Sequence, residues 1–357
     1  MEVEEAGTGA TTLTFDGIEN EGDLIIRSNA TKTLDLKLLN DTVEAFYRVT
    51  SPVVLRPNDV IRIGLLRFEV HRFNHSSASV QGIRPSMEDE DFCRDGLIIS
   101  QGQYVSMFNV YDGHGGFDAS RFLRSRFHRI FSENYENENQ KKIFDSIMKT
   151  FQQCDEELLH IVKSKGLSTG VGSVVNSVLI DRKGNFICSN LGDCRALLGM
   201  NDGSLVELSR DLKPLVTEET ERIKRCGGFV SNANRVNGRL AVSRAIGDFE
   251  YKANLVSGGK KFETMVSSVP EVRLHVGTGN EAFLLIACDG LYDVMSSKDV
   301  VAFINDRIAS FVSRKQEPDP SQICVDLVTE CVIKRGTGDN VTIILVLLHP
   351  FLKETID

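Results

Sequence analysis

Two nearly unbroken apolar runs restrict this chain more than any other feature of its sequence: AFLLIACDG at residues 282–290 and VTIILVLL at residues 341–348. A strand with one wet face alternates apolar and polar side chains. These runs do not alternate, so both of their faces must be covered, and they are expected to be central, buried strands. Each run also ends against a carboxylate, Asp289 or Asp339. A carboxylate there sits beside the core, where an unpaired charge is costly. The pattern predicts two sheets packed face to face with helices outside, which would bury such runs on both sides.

The rest of the chain divides in two. Residues 1–68 read as a small all-β region, with short strand-like runs such as TTLTF, DLIIR, TLDLKLL and VEAFYRV separated by Gly, Asn, Asp and Pro. Residues 69–350 alternate helices and strands. Phe122, Phe127, Ile130 and Phe131 give residues 119–135 a one-sided helical face, and Ile143, Ile147, Phe151, Leu158 and Leu159 do the same for 142–162. A hairpin follows, SVVNSVLID and NFICSNLG joined at Arg182-Lys183-Gly184. The short helix EETERIKRC ends at Gly227-Gly228, as a C-cap would.

Acidic islands recur where apolar strands stop. They are RPSMEDED (Arg84, Glu88, Asp89), FNVYDGHGG (Asp112, Gly113, His114), CSNLGDCRALL (Asp193), LLIACDGLYDV (Asp289) and RGTGDNVTIILV (Asp339, Asn340). Any one Asp-Gly pair is more often a turn, a lone arginine a surface residue, and a lone histidine a structural one. Their joint occurrence points elsewhere. Carboxylates brought together repel and rise in pKa unless a cation neutralises them. Oxygen ligands favour Mg²⁺ or Mn²⁺ over zinc, and paired cations are a standard device for phosphoester hydrolysis.

With RVNGRLAVSRAIGD added, these motifs stand in a family's order: R-P-S-M-E-D, Y-D-G-H-G-G, G-D-C-R, A-C-D-G-L-Y-D-V and G-D-N-V-T. The chain resembles the metal-dependent serine/threonine protein phosphatases, the protein phosphatase 2C family, from about residue 74 to 348. The resemblance implies an α+β fold. Its centre is a β-sandwich of two antiparallel sheets flanked by helix pairs, in αββα layers, with the metals in a cleft at one end.

The resemblance also implies roles. Asp112 bridges two cations, Mg²⁺ or Mn²⁺, and the Gly113 carbonyl, Asp289 and Asp339 complete their shell. Glu88 contacts a metal, Asp89 orients metal-held waters, and Asp193 aligns with a carboxylate that helps hold a third, weaker metal in some members. Arg84 binds the substrate phosphate, where its planar fork suits two oxygens. His114 protonates the leaving serine or threonine oxygen, and Asp248 and Asn340 support the ligands from behind. The implied reaction is hydrolysis of phosphoserine and phosphothreonine esters by direct attack of a water between the two cations. No cysteine has an arginine six positions later, so the loop of cysteine-dependent phosphatases is absent. Departures are mild: Cys194 stands where serine is common, Tyr292 where tryptophan is, and Leu212 where histidine is usual. An alternative of another class is a catalytically silent adaptor that binds phosphoproteins on the same fold.

The stretch VVLRPNDVIRIGLLRFEV, residues 53–70, resembles the closing strands of a forkhead-associated domain, although the Gly-Arg and Ser-x-x-His residues that read phosphate there are missing from residues 1–73. Two readings stay open: a module docking phosphoproteins, or a β-rich extension packed on the phosphatase. The expected partners are phosphorylated protein substrates. A net charge of −9 disfavours nucleic acid, and no run of apolar residues is long enough to span a membrane. The acidic N-terminus is no secretory signal, and the dispersed cysteines suit a reduced compartment, so cytoplasm and nucleus are both expected.

Overall fold

The computed structural model describes residues 73–99, 104–135, 140–252 and 263–348, together with the backbone of eight strands between residues 2 and 69. Those strands are β1 (Glu2–Val3), β2 (Thr11–Asp16), β3 (Leu24–Ser28), β4 (Asp35–Asn40), β5 (Val43–Arg48), β6 (Val53–Leu55), β7 (Val60–Ile63) and β8 (Leu66–Glu69). They pair in the orders β1–β2–β3–β6 and β5–β4–β7–β8. The forkhead-associated likeness of residues 53–70 and the docking role of residues 1–68 rest on side chains that lie outside the described residues.

From residue 73 onward two antiparallel sheets form. One has the order β10 (Glu90–Ile98), β11 (Tyr104–His114), β12 (Gly172–Ile180), β13 (Phe186–Leu191) and β17 (Glu271–His275), with β16 (Ile246–Gly247) paired to β12. The other has the order β15 (Leu205–Glu207), β14 (Arg195–Met200), β18 (Glu281–Ala287), β19 (Val341–Leu347) and β9 (Asn74–Val80). The helices are α1 (Asp118–Asn134), α2 (Gln140–Lys165), α3 (Thr217–Arg225), α4 (Asp289–Tyr292), α5 (Ser297–Ser313) and α6 (Pro320–Thr329).

The continuous apolar runs are explained by layering. Along β18, Leu284 and Ile286 enter the core between the sheets, as does Cys288 just beyond it, while Phe283, Leu285 and Ala287 face α5 and α6. Along β19, Ile344 and Val346 point inward, while Ile343 and Leu345 meet Ile304 and Leu327. The other sheet does the same: Phe108, Val110, Val174 and Val178 fill the sandwich, and Met107, Tyr111, Val175 and Leu179 pack under α1 and α2. Period-two alternation thus puts apolar side chains on both faces, and each fully buried one contributes about 1.5–3 kcal/mol. The expected antiparallel sandwich with helix pairs on both outer faces is what forms.

Strand registers bring one end of each sheet together. Tyr111 faces Glu90, Asp112 faces Val174, Ala287 faces Ile343 and Val341 faces Val80. The five acidic islands therefore lie at the same end, at strand termini, at the start of α4 and in the loops beside them. Two of them precede strands rather than follow them: Glu88 and Asp89 lead into β10, and Asp339 leads into β19.

Candidate active site

A cleft of about 290 Å³ opens at this end, lined by Arg84, Glu88, Asp112, Gly113, His114, Asp193, Asp289, Asp339 and Asn340. One wall comes from the segment containing Arg235, Leu240, Ala241 and Val242. Nearly every residue singled out from the sequence is thus at one place. Asp89 and Asp248 lie just behind it, both buried.

Local rules fix each side chain. β11 runs straight into Asp112, Gly113 and His114, so the carboxylate and the ring are held by ladder pairing to β12. Gly113 has to be glycine, because a Cβ there would collide with the Glu88 carbonyl and the Ser120 hydroxyl. Asn340 clamps the arginine loop: its Oδ1 accepts from the Glu88 N–H at 2.9 Å, and its Nδ2 donates to the carbonyls of Gln81 (2.8 Å) and Ser86 (3.1 Å). The Ser86 hydroxyl donates to Glu88 Oε1 at 2.8 Å. Arg84 Nη2 donates to Asp339 Oδ2 at 2.5 Å.

The electrostatics follow from crowding. Burial, and then Asp89, Asp289, Asp193 and Asp339, hold the Asp112 carboxyl well above the usual range. Burial and the nearby Asp193 and Asp293 push Asp289 up to about 8. Asp89 is pushed up to about 6, chiefly by burial, with the nearby Asp339 and Glu88 carboxylates adding to it. Asp193 is raised by burial, although the Lys213 ammonium 3.5 Å away works against this. For His114, burial alone would lower the pKa. Asp248, whose Oδ2 lies 2.7 Å from His114 Nε2, outweighs it and leaves the imidazole above its ordinary value.

The donor set suits a hard divalent cation. It is all oxygen, the carboxylates penalise one another when ionised, and the buried Asp89 Oδ2 has no hydrogen-bond partner. Among the described residues no three His, Cys, Asp or Glu side chains form a closed cage, and Asp339 is paired with Arg84 instead.

Comparison with known proteins identifies the architecture. The family model described as protein phosphatase 2C matches residues 73–341. This chain belongs to the protein phosphatase 2C family. A probable protein phosphatase 2C of Caenorhabditis elegans is 35% identical, the match covering 76% of this chain and 74% of the relative. Probable protein phosphatase 2C 27 of Arabidopsis thaliana is 34% identical over 78% of this chain and 70% of its own length. Among solved structures, a phosphatase from a pathogenic strain of Toxoplasma gondii superposes with a TM-score of 0.64 at 25% identity, covering 77% of this chain and 92% of that one. A sex-determining protein of C. elegans shares the fold, with a TM-score of 0.64 at 22% identity over 78% of this chain and 65% of that one. Membership of the phosphatase 2C family supports protein phosphatase function, and with it phosphoprotein substrates.

Some residues of this phosphatase 2C cleft were not singled out by sequence. Lys213 neutralises Asp193, and Arg235 lines the cleft. The first sits in the DLKP stretch next to Leu212, itself buried with its N–H on the Gly192 carbonyl. A lysine two residues past a loop carboxylate, Asp211, carries no distinctive spacing. Tyr292 is half-buried, with the Arg195 guanidinium 4.7 Å from its ring centroid, and Arg195 makes a two-pronged pair to Asp211.

Proposed function

We propose that this chain hydrolyses phosphoserine and phosphothreonine esters of protein substrates at this cleft, with Mg²⁺ or Mn²⁺ as cofactor. In this reading two cations are held by Asp112, the Gly113 carbonyl, Asp289 and Asp339, with Glu88 and Asp89 beside them and Asp193 available to a third, weaker one. When bound, such cations lower the pKa of water toward neutrality and offset charge on a phosphoryl group.

The chain's own groups supply the rest. Arg84 is exposed at the cleft lip and presents its planar fork to two phosphate oxygens. Water attacks phosphorus directly, and the serine or threonine oxygen leaves with a proton from His114. With Nε2 engaged by Asp248, Nδ1 is the nitrogen left to serve that oxygen. The pairing also keeps the imidazole protonated more readily than usual, as a proton donor requires. Asn340 keeps Arg84 and Glu88 in register by fixing the loop that carries them. Cysteine nucleophiles do not fit: Cys194 and Cys288 beside the carboxylates are buried, and burial holds both thiols well above their ordinary pKa.

The observation that carries this reading is the gathering of Asp112, Asp289 and Asp339, three half-buried carboxylates, next to one exposed arginine and one aspartate-paired histidine. The test is phosphate release from a phosphothreonine peptide in Mn²⁺. Asp112→Asn and Asp289→Asn should each abolish turnover while circular dichroism stays unchanged, and turnover near the parent level in either would refute the assignment. Residues 1–68 enter the proposal as a docking region. Deleting them should leave peptide hydrolysis within a few-fold and change the choice among protein substrates.

A further inference from the structure

The motif RVNGRLAVSRAIGD ends at Asp248, the residue that holds His114, and the structure shows what holds Asp248. Its backbone is left-handed, with φ 52° and ψ 44°, a shape that few residues other than glycine, asparagine and aspartate adopt. Such a conformation persists only where the surroundings enforce it. The Asp248 N–H donates to the Val171 carbonyl at 2.9 Å, and Tyr251 N–H donates back to the Asp248 carbonyl at 3.0 Å. Register does the rest: Gly172 stands between His114 on one side and Gly247 on the other, and a Cβ at 172 would strike both the Asp248 carboxylate and the His114 ring.

Across this loop lies an ion pair that none of the expected roles uses. Lys252 Nζ donates to Asp155 Oδ1 at 2.6 Å and to the Ala245 carbonyl at 2.9 Å. The same Asp155 Oδ1 accepts from the Gly247 N–H at 2.9 Å. Both side chains are mostly buried, 11% and 15% exposed, so the pair is shielded from the solvent that weakens surface pairs. Asp155 stands on α2, which is packed rigidly against the sheet through Phe151, Cys154 and Leu158. One carboxylate on a fixed helix thus pins the residue before Asp248 and, through Lys252, both ends of the 245–252 loop.

We propose that the Asp155–Lys252 pair is a positioning element for catalysis: it sets the loop shape that lets Asp248 orient His114. The inference rests on His114 acting as the proton donor. Neither Asp155 nor Lys252 touches the reacting atoms. Loss of the pair leaves the cations' ligands in place and loosens only the histidine.

The test uses the full chain with Lys252→Met, Lys252→Arg, Asp155→Asn and His114→Gln, on a phosphothreonine peptide and on p-nitrophenyl phosphate, at saturating Mn²⁺. An alkoxide needs a proton to leave and a nitrophenolate does not. Lys252→Met should lower kcat on the peptide about tenfold or more while p-nitrophenyl phosphate stays within about threefold. Lys252→Arg should recover most of the peptide rate. Added to His114→Gln, Lys252→Met should cause little further loss, because both act through one group. Equal slowing of both substrates, or losses that multiply in the double variant, would overturn the proposal and make the pair purely structural. If Lys252→Met does not fold, Asp155→Asn, which keeps the shape and removes the charge, is read by the same criteria. A parent protein without metal-dependent turnover would refute the proposed function itself. An active parent in which only His114→Gln is leaving-group selective would refute this inference alone.

Discussion

Arg84 and Asp339 form an ion pair at the mouth of the cleft, Nη2 to Oδ2 at 2.5 Å, with the arginine side chain 52% exposed. Two groups assigned to different ligands, phosphate and cation, thus hold each other. An exposed pair of this kind contributes at most about 1 kcal/mol, so either ligand can break it.

Competition follows from that pairing. Arg84→Ala should tighten Mn²⁺ binding by up to about fivefold, by releasing Asp339, while weakening inhibition by inorganic phosphate. Isothermal titration of Mn²⁺ and phosphate inhibition curves measure the two effects. Looser Mn²⁺ binding in the variant would contradict the competition.

Carboxylate crowding should be visible as stability. Asp289 is half-buried among Asp193, Asp293 and Asp339, so in chelator its charge opposes folding. Asp289→Asn should raise Tm in EDTA at pH 8 by about 2–4 °C for each 1 kcal/mol relieved. With Mn²⁺ added, the parent should gain more than the variant. A lower Tm for Asp289→Asn in EDTA would mean that the carboxylate is already compensated without metal.

Asn340 shows how a side chain that need not touch substrate can govern the site. It satisfies one N–H and two carbonyls of the 81–88 loop. Asn340→Asp keeps the acceptor but cannot donate, leaving the Gln81 and Ser86 carbonyls unpaired at a cost of about 1–3 kcal/mol each. The expected result is a kcat/KM loss of at least about tenfold on peptide, with urea unfolding shifted to lower concentration. Unchanged kcat/KM would show that the loop is held by other means.

Far from the cleft, Glu281 provides a pH-dependent lock. It accepts from His275 Nε2 (2.9 Å) and from the Thr278 N–H (2.9 Å), the Thr278 hydroxyl (2.8 Å) and the Gly279 N–H (2.9 Å). Burial would raise its pKa, but these bonds to the carboxylate win and bring it down to about 2. A depressed carboxylate stabilises the fold above its unfolded value, about 4.3, and the contribution fades as pH falls through about 2. Glu281→Gln should therefore unfold at lower urea than the parent at pH 7, with the gap shrinking from about pH 4 downward. A gap independent of pH would assign the loss to shape rather than charge.

Much of this was legible because its physics is local. Runs such as AFLLIACDG and VTIILVLL must be covered on both faces, and alternation between the layers supplies that. The aspartates Asp112, Asp289 and Asp339 were readable because each borders such a run. What stayed hidden is made by chain crossings. Lys213 reaches Asp193 across 20 positions of sequence, and Lys252 reaches Asp155 across 97. No period or spacing records such pairs. Asp248 was placed behind the cleft by resemblance, but its grip on His114 emerges only when β16 pairs with β12.

Hydrolysis of a phosphothreonine peptide by the purified chain, with Mn²⁺ or Mg²⁺ and then with excess EDTA, tests the assigned chemistry most directly. Phosphate release should require millimolar cation, stop on chelation and return when cation is restored, because open oxygen sites bind such ions reversibly. Full activity in EDTA, or none with either cation from a folded protein, would contradict it.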